Sequence, residues 1–522
     1  MNDIPSYSNW FRSRRLLAAA AAGLLCVASL PAAASAADAE PAAVQALIRQ
    51  GSGTDSRLST FYRARGYRPL WVKSDSLASE ARTFVRALRG TGFPAAANLD
   101  AAVAAARGGA PAALADAELR LTQALLAFVD DVPNVNVGMN YIDEELEPRS
   151  ERRGPTSISS LRDVDDLIEG LDRGNPVYVQ LRHALAAYRQ RWGSLPQVRI
   201  PGGPALRVGA RGSRVQALRR RLGLPASGTF DPQVAEILKS FQRAHGLPDD
   251  GIAGTGTIAA LNRGPAHYER LLEANLARAR ALPENPGRRF ILVDAAAARL
   301  WMYENGRPVD SMRVIVGKSS EQTPMMAALI RYAALNPYWN IPPDLARVRA
   351  VNVQRQGPSY LQREQYEVLS DWSENAVVLH PSQVDWAAVA AGRQQLRMRQ
   401  LPGPRNMMGE IKLMMPNHLG IYLHDTPDRE LFNRSDRWLS SGCVRLEDAW
   451  RLSRWLFGRD IGPTSGEPEE EVKLRRLVPV FITYLTVAPS EGGLEFRDDI
   501  YNRDRSLLAQ LDRGSARFAS TE

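Results

Sequence analysis

Residues 288–317 read RRFILVDAAAARLWMYENGRPVDSMRVIVG. Apolar residues come here in short aromatic and β-branched runs with a period near two, not the 3.6 of a helix. Asn305-Gly306 lies between two such runs, and that pair suits the left-handed positions of a tight hairpin turn. A β-domain is therefore expected to begin near residue 289. GIYLHD (420–425) and VPVFITYLTV (478–487) supply further strands. Between the hairpin and GIYLHD, residues 341–405 are punctuated by proline and partly helical. An insertion of that size in a β-domain reads as a lid or substrate-binding element.

Upstream the period is helical. In ELRLTQALLAFVDDV, Leu121, Leu125, Phe128 and Val129 share one helix face, and Pro133 is expected to stop the helix. VYVQLRHALAAYRQRW (177–192) repeats the pattern. Residues 37–204 are read as a helical scaffold, resumed at 265–288. RIPGGPALRVG marks a boundary before a compact module at 205–264. In that module Ser213 and Gln216 have the spacing of a capping box. Asp231 precedes Pro232 at a second helix start, with Val234, Ile237, Leu238 and Phe241 as its apolar stripe. Ile258 and Leu261 mark a third helix. The fold class expected is multidomain α+β, with the β-rich domain at 289–512 and a tail at 513–522.

The first 36 residues read as a cleavable secretory signal. Arg12, Arg14 and Arg15 precede the apolar run from Leu16 to Leu30, and small residues lead to a cut after Ala36. Whether export is general or twin-arginine is left open. No later segment is long and apolar enough to span a membrane. The remaining chain of roughly 485 residues exceeds one ordinary domain. Its 44% apolar content excludes a disordered chain. The net charge of +9 fits attraction to an anionic polymer, or simply arginines solvating a surface.

Only Cys26 and Cys443 occur in 522 residues, and Cys26 falls in the signal. A lone thiol in an exported chain cannot form an internal disulfide and calls for a chemical role. A thiol becomes a nucleophile when a base or positive field favours its thiolate, and histidine is the usual base. Of the six histidines, His424 ends the strand GIYLHD, 19 residues before Cys443. Zinc-binding spacings, a G-x-S-x-G elbow and a phosphate-binding loop are absent, so neither metal nor cofactor is expected.

The stretch IYLHDTPDRELFNRSDRWLSSGCVRLEDA (421–449) resembles the active-site signature of the L,D-transpeptidases: a histidine at a strand end, a loop, then Ser-x-Gly-Cys-x-Arg. FQRAHGLPDDGIAGTGTIAAL resembles the peptidoglycan-binding type 1 module. LNPYWNIPP, GPRNMMGEIKLMMPN and FRDDIYNRD extend the likeness to the large periplasmic subgroup of Gram-negative bacteria. Ser441 departs from the broader family, where many members carry histidine.

The resemblance implies a periplasmic enzyme that forms 3-3 peptidoglycan cross-links through a cysteine thioester and releases D-Ala from a tetrapeptide donor. Cys443 would be the nucleophile and His424 its base. Asp425 would orient the imidazole through its carbonyl, with Ser441 and Gly442 as support and the Gly442 and Cys443 N–H groups as oxyanion donors. Arg445 is expected to hold a stem carboxylate, and Tyr422, Asn406 and Trp339 to line the pocket. Hydrolysis by the same nucleophile and a non-catalytic wall-binding scaffold are the alternatives. Partners expected are stem peptides, glycan and other cell-wall enzymes, with no nucleic acid and no transmembrane anchor.

Overall fold

A computed structural model describes residues 42–91, 96–130, 136–148, 160–171, 175–490 and 493–519. The signal segment and Pro133 lie outside the described residues. Among the described residues, six α-helices between Ala42 and Leu171 surround a core that includes Phe61, Tyr62, Trp71, Phe84, Leu121 and Leu125. A short hairpin, β1 (Val72–Lys73) and β2 (Ser76–Leu77), packs beside them. Glu118 is fully buried there. Its carboxylate accepts from the N–H groups of Leu70, Trp71 and Val72 at 2.6, 2.8 and 3.0 Å, and from the Tyr62 hydroxyl at 2.8 Å. One acidic side chain thus fastens the loop that leads into β1.

The expected scaffold at 37–204 divides between two cores. Helix Pro176–Tyr188, capped by Asn175, turns Val177, Leu181, Leu185 and Tyr188 into the core that also holds the 205–264 module. Module helices Ser213–Arg221, Pro232–Ala244 and Thr255–Arg263 follow the sequence pattern. Asp231 caps the second, accepting from Val234 N–H at 2.9 Å. The Ser213–Gln216 capping box does not form. Gly212 occupies the N-cap position and Ser213 is already helical.

At the centre of this core His245 stacks on Phe241, with ring centroids 3.8 Å apart, and packs against Tyr268 and Phe496. Its Nδ1 is 2.7 Å from the Phe241 carbonyl and its Nε2 is 3.1 Å from the Tyr188 hydroxyl. Burial lowers its pKa to about 4.

β3 (Asn140–Tyr141) joins the sheet built by β4 (Arg289–Asp294), β5 (Arg299–Glu304), β6 (Arg307–Gly317) and β7 (Met326–Leu335). Asn305 and Gly306 take φ of 50° and 75°, the left-handed pair the hairpin needs. After β7 comes a subdomain with its own core. It contains β8 (Trp339–Ile341), helix Pro343–Gln356, β9 (Tyr366–Leu369) and β10 (Arg397–Gln400), with strand order β8-β10-β9. The main sheet resumes with β11 (Ile411–Met414), β12 (Leu423–His424), β13 (Trp438–Ser440), β14 (Val444–Leu446) and β15 (Glu470–Thr483).

Its order is β11-β12-β14-β6-β5-β4-β15-β7, and β7 also pairs β11, so the path closes on itself. Leu300, Val314, Leu413, Leu423 and Val444 fill the enclosed core. Phe290, Leu292 and Tyr303, on the other face of the same strands, join the helical core. β16 (Val487–Ser490) and β17 (Gly493–Phe496) form a terminal hairpin. Of the tail expected at 513–522, residues 513–519 are instead the end of a helix, Asp504–Ala519. Asp504 anchors that helix through a 2.6 Å ion pair with buried Arg278. Among the described residues no helix is long and apolar enough to cross a membrane.

Candidate active site

Strand register creates the site. β12 and β14 run parallel with Leu423 opposite Val444 and His424 opposite Arg445. β11 runs antiparallel to β12 with Lys412 opposite His424. Side chains alternate between the faces of a sheet. Leu413, Leu423, Val444 and Leu446 therefore enter the core, while Lys412, Tyr422, His424, Cys443 and Arg445 share the opposite face. Cys443, just before β14, is diagonal to His424, an offset of the kind that long side chains bridge.

His424 is buried, and its Nδ1 is 2.5 Å from the Asp425 carbonyl. With Nδ1 donating, Nε2 keeps a lone pair that can take a proton. Burial, then the Arg445 and Lys412 cations, lower its pKa to about 3 against the pull of the Asp425 and Met408 carbonyls. The imidazole is therefore neutral at rest. Asp425 is itself held in place: its carboxylate accepts from Arg429 at 2.5 Å and from Glu410 N–H at 3.0 Å. Gly409, at φ +64°, passes so close that a Cβ there would meet this carboxylate at 2.3 Å.

The half-buried Cys443 donates to the Gly420 carbonyl at 3.4 Å in this resting arrangement, not to the imidazole. Burial pushes its pKa up, while the Tyr422 N–H and the Lys412 and Arg445 cations favour the thiolate. The Gly442 N–H donates to Ser440 Oγ at 3.2 Å, and Ser440 Oγ donates to the Cys443 carbonyl at 2.6 Å. The Gly442 carbonyl accepts from the Thr323 hydroxyl at 2.7 Å, and Thr323 Oγ1 accepts from the Gly317 N–H at 2.8 Å. The Tyr501 hydroxyl donates to the Gly317 carbonyl at 2.5 Å. A peptide plane is rigid, so fixing the Gly442 carbonyl fixes the direction of the Cys443 N–H. Gly442 takes φ +116°, a conformation that L side chains rarely adopt.

The other residues expected here have different surroundings. Ser441 is exposed, and its hydroxyl hydrogen-bonds Glu321. Arg445 is half-buried and paired with Asp428 at 3.1 Å. Asn406 is fully buried, donating to the Pro337, Gln400 and Leu401 carbonyls and accepting from Met408 N–H. It braces the junction of subdomain and sheet, with both amide hydrogens taken up by those carbonyls. Trp339 is part of the subdomain core, under Arg349. Tyr422 does reach the reactive face, with the Lys412 ammonium 3.8 Å from its ring centroid.

Lys412, Thr323 and Ser440 were not singled out from sequence. The alternation of IKLM with LHD was the one available signal for Lys412. Among the described residues no three His, Cys, Asp or Glu side chains are grouped to hold a metal ion.

Comparison with known proteins finds three domain matches along the chain. The L,D-transpeptidase catalytic domain matches residues 288–465, a Scaffold domain residues 56–185, and a "Putative peptidoglycan binding domain" residues 211–261. A "Putative L,D-transpeptidase" of Haemophilus influenzae is 32% identical over 249 residues, 46% of this chain and 50% of that protein. The match thus spans half the length of this curated relative.

Among solved structures, an L,D-transpeptidase from Mycobacterium smegmatis is 13% identical, covering 37% of this chain and 58% of that one, with a TM-score of 0.19. One from Xylanimonas cellulosilytica is 16% identical, covering 54% and 99%, with a TM-score of 0.17. Residues 288–465 are thus similar to the L,D-transpeptidase catalytic domain, preceded by the Scaffold and peptidoglycan-binding matches.

Proposed function

We propose that this chain is an extracytoplasmic L,D-transpeptidase that joins peptidoglycan stem peptides through a thioester on Cys443. The observation that carries this reading is the shared sheet face of Cys443 and a neutral His424 whose Nδ1 faces the Asp425 carbonyl. Cys443 Sγ swings from the Gly420 carbonyl and attacks the carbonyl after the L-centre of the donor diamino acid, as His424 Nε2 takes the thiol proton. The tetrahedral oxyanion lies against the Cys443 N–H. The Gly442 N–H, first expected to share this role, is already spent on Ser440. Such a donor is worth about 3 kcal/mol.

Collapse of the intermediate expels the terminal D-Ala, whose nitrogen takes the proton back from His424. An amine from a second stem then attacks the thioester, losing its proton to His424 and forming the 3-3 cross-link. One imidazole serves as base and acid in turn. A neutral resting thiol suits this scheme, because the proton moves only when a substrate is in place.

In the same reading residues 1–36 are an export signal, placing the mature chain in the periplasm. The module at 205–264 holds the wall polymer, and the subdomain after β7 lids the site. Product analysis with a tetrapeptide donor, with and without an amine acceptor, tests the proposal. Cross-linked dimer that depends on acceptor supports it. Tripeptide alone in both samples would make the enzyme a hydrolase.

A further inference from the structure

The mechanism leaves one buried charge unused. Lys412 is 8% exposed, yet among the described residues its ammonium has no carboxylate within ion-pair distance, Glu469 acting on it only from farther away. The ring of Tyr422 is its close partner, at 3.8 Å. A lysine that only needed solvation would extend to water, as long basic side chains commonly do. Removing the charge from water without a paired anion is costly, and a cation–π contact returns only ~2 kcal/mol of that cost. Arg445, the other cation of this face, already has Asp428.

Position adds a second observation. Across neighbouring strands the face runs Cys443 on the β14 side, then Tyr422 and His424 on β12, then Lys412 on β11. Strands lie about 4.8 Å apart, so the backbones at Cys443 and Lys412 are two strand spacings apart, roughly 10 Å, and the Lys412 side chain leans back over the Tyr422 ring of the middle strand. A donor ending in an amino-acid carboxylate has a matching order of groups: scissile carbonyl, departing nitrogen, terminal carboxylate. With the carbonyl at Cys443 and the nitrogen over His424, the carboxylate falls on the Lys412 side.

We infer that Lys412 binds the terminal α-carboxylate of the acyl donor and so selects a free-acid leaving amino acid. This rests on the acyl-transfer reading above. The contact exists only while the leaving group is in place, and it sets which nitrogen lies over the imidazole.

The test uses two tetrapeptide donors that differ at one group, a C-terminal D-Ala carboxylate or its carboxamide. Release of D-Ala or D-alaninamide is followed for wild type, Lys412→Met and Lys412→Gln. Wild type should prefer the free acid by about 10- to 100-fold in kcat/KM, the range of one charge-assisted hydrogen bond. In both variants, checked for folding by thermal melting, the preference should collapse toward about 1, chiefly through KM for the free acid. A preference that survives because both donors slow equally would overturn the inference and make Lys412 a thiolate counter-charge or packing residue. A wild type indifferent to the carboxylate would overturn it too. Cys443→Ala is run alongside: if it still releases D-Ala, the acyl-transfer reading itself fails, an outcome distinct from either result at Lys412.

Discussion

Replacing Thr323 with valine removes one hydroxyl and little volume, yet it should reach the chemistry. Thr323 is fully buried. Its Oγ1 accepts from Gly317 at 2.8 Å and donates to the Gly442 carbonyl at 2.7 Å. Valine strands both backbone groups. At ~1–3 kcal/mol for each buried group left unpaired, stability should drop by roughly 2–6 kcal/mol. The catalytic effect is separable. The Gly442–Cys443 peptide is free to turn once its carbonyl is released, carrying the Cys443 N–H away from the oxyanion. Loss of such a donor costs about 100- to 1,000-fold in kcat. Acylation rates measured by intact mass, together with kcat and KM for a soluble donor, should show a fall in kcat at nearly constant KM. Thr323→Ser, which keeps the hydroxyl, should restore most of it. A folded Thr323→Val enzyme with kcat within about twofold of wild type would refute the clamp.

His424→Ala should lower turnover by at least ~100-fold, the usual contribution of a general base; equal damage from replacing His418, just ahead of the strand that ends in His424, with alanine would show that the wrong histidine has been paired with Cys443. His245 makes stability depend on pH. Its folded pKa is about 4 against an ordinary 6.5, so the unfolded chain binds the extra proton between those values. Stability contributed by the neutral ring is present above about pH 6.5 and is lost as pH falls toward 4. The melting temperature should fall over that window and fall less in His245→Gln; identical slopes would remove His245 as the cause. Excising residues 205–264 should lower the melting temperature, because Trp192, Tyr268 and Phe496 share the module's core. An excised chain that melts like wild type would show that the module merely rests on its neighbours.

Local signals were legible wherever local physics decides. Asn305-Gly306 dictates its turn through backbone conformation alone, and Asp231-Pro232 starts a helix with a cap and a preset φ. The His424–Cys443 pairing was suggested by a strand end and a lone thiol, but its geometry required the β12–β14 register. Capping at Ser213 failed because Gly212, at φ +107°, occupies the cap position before the serine can. Asn406 looked like a pocket residue because nothing in sequence shows that three carbonyls will use its amide. Thr323 touches Gly442 across 119 residues, a contact that no periodicity reveals. Lys412 in IKLM reads as the solvent side of a strand; only the closure of β11 onto β7 and β12 puts it inside the site. Helix Pro176–Tyr188 is amphipathic, and tertiary packing decides which core it joins.

Covalent chemistry at Cys443 is tested most directly by intact-mass spectrometry of the full chain after rapid mixing with a tetrapeptide donor. Wild type should gain the mass of the donor less D-Ala, on the peptide containing Cys443, as an adduct released by hydroxylamine. Amine acceptor should discharge it into cross-linked product, and Cys443→Ala should stay unmodified and release no D-Ala. D-Ala release by Cys443→Ala, or a wild-type adduct on any other residue, would contradict the cysteine mechanism.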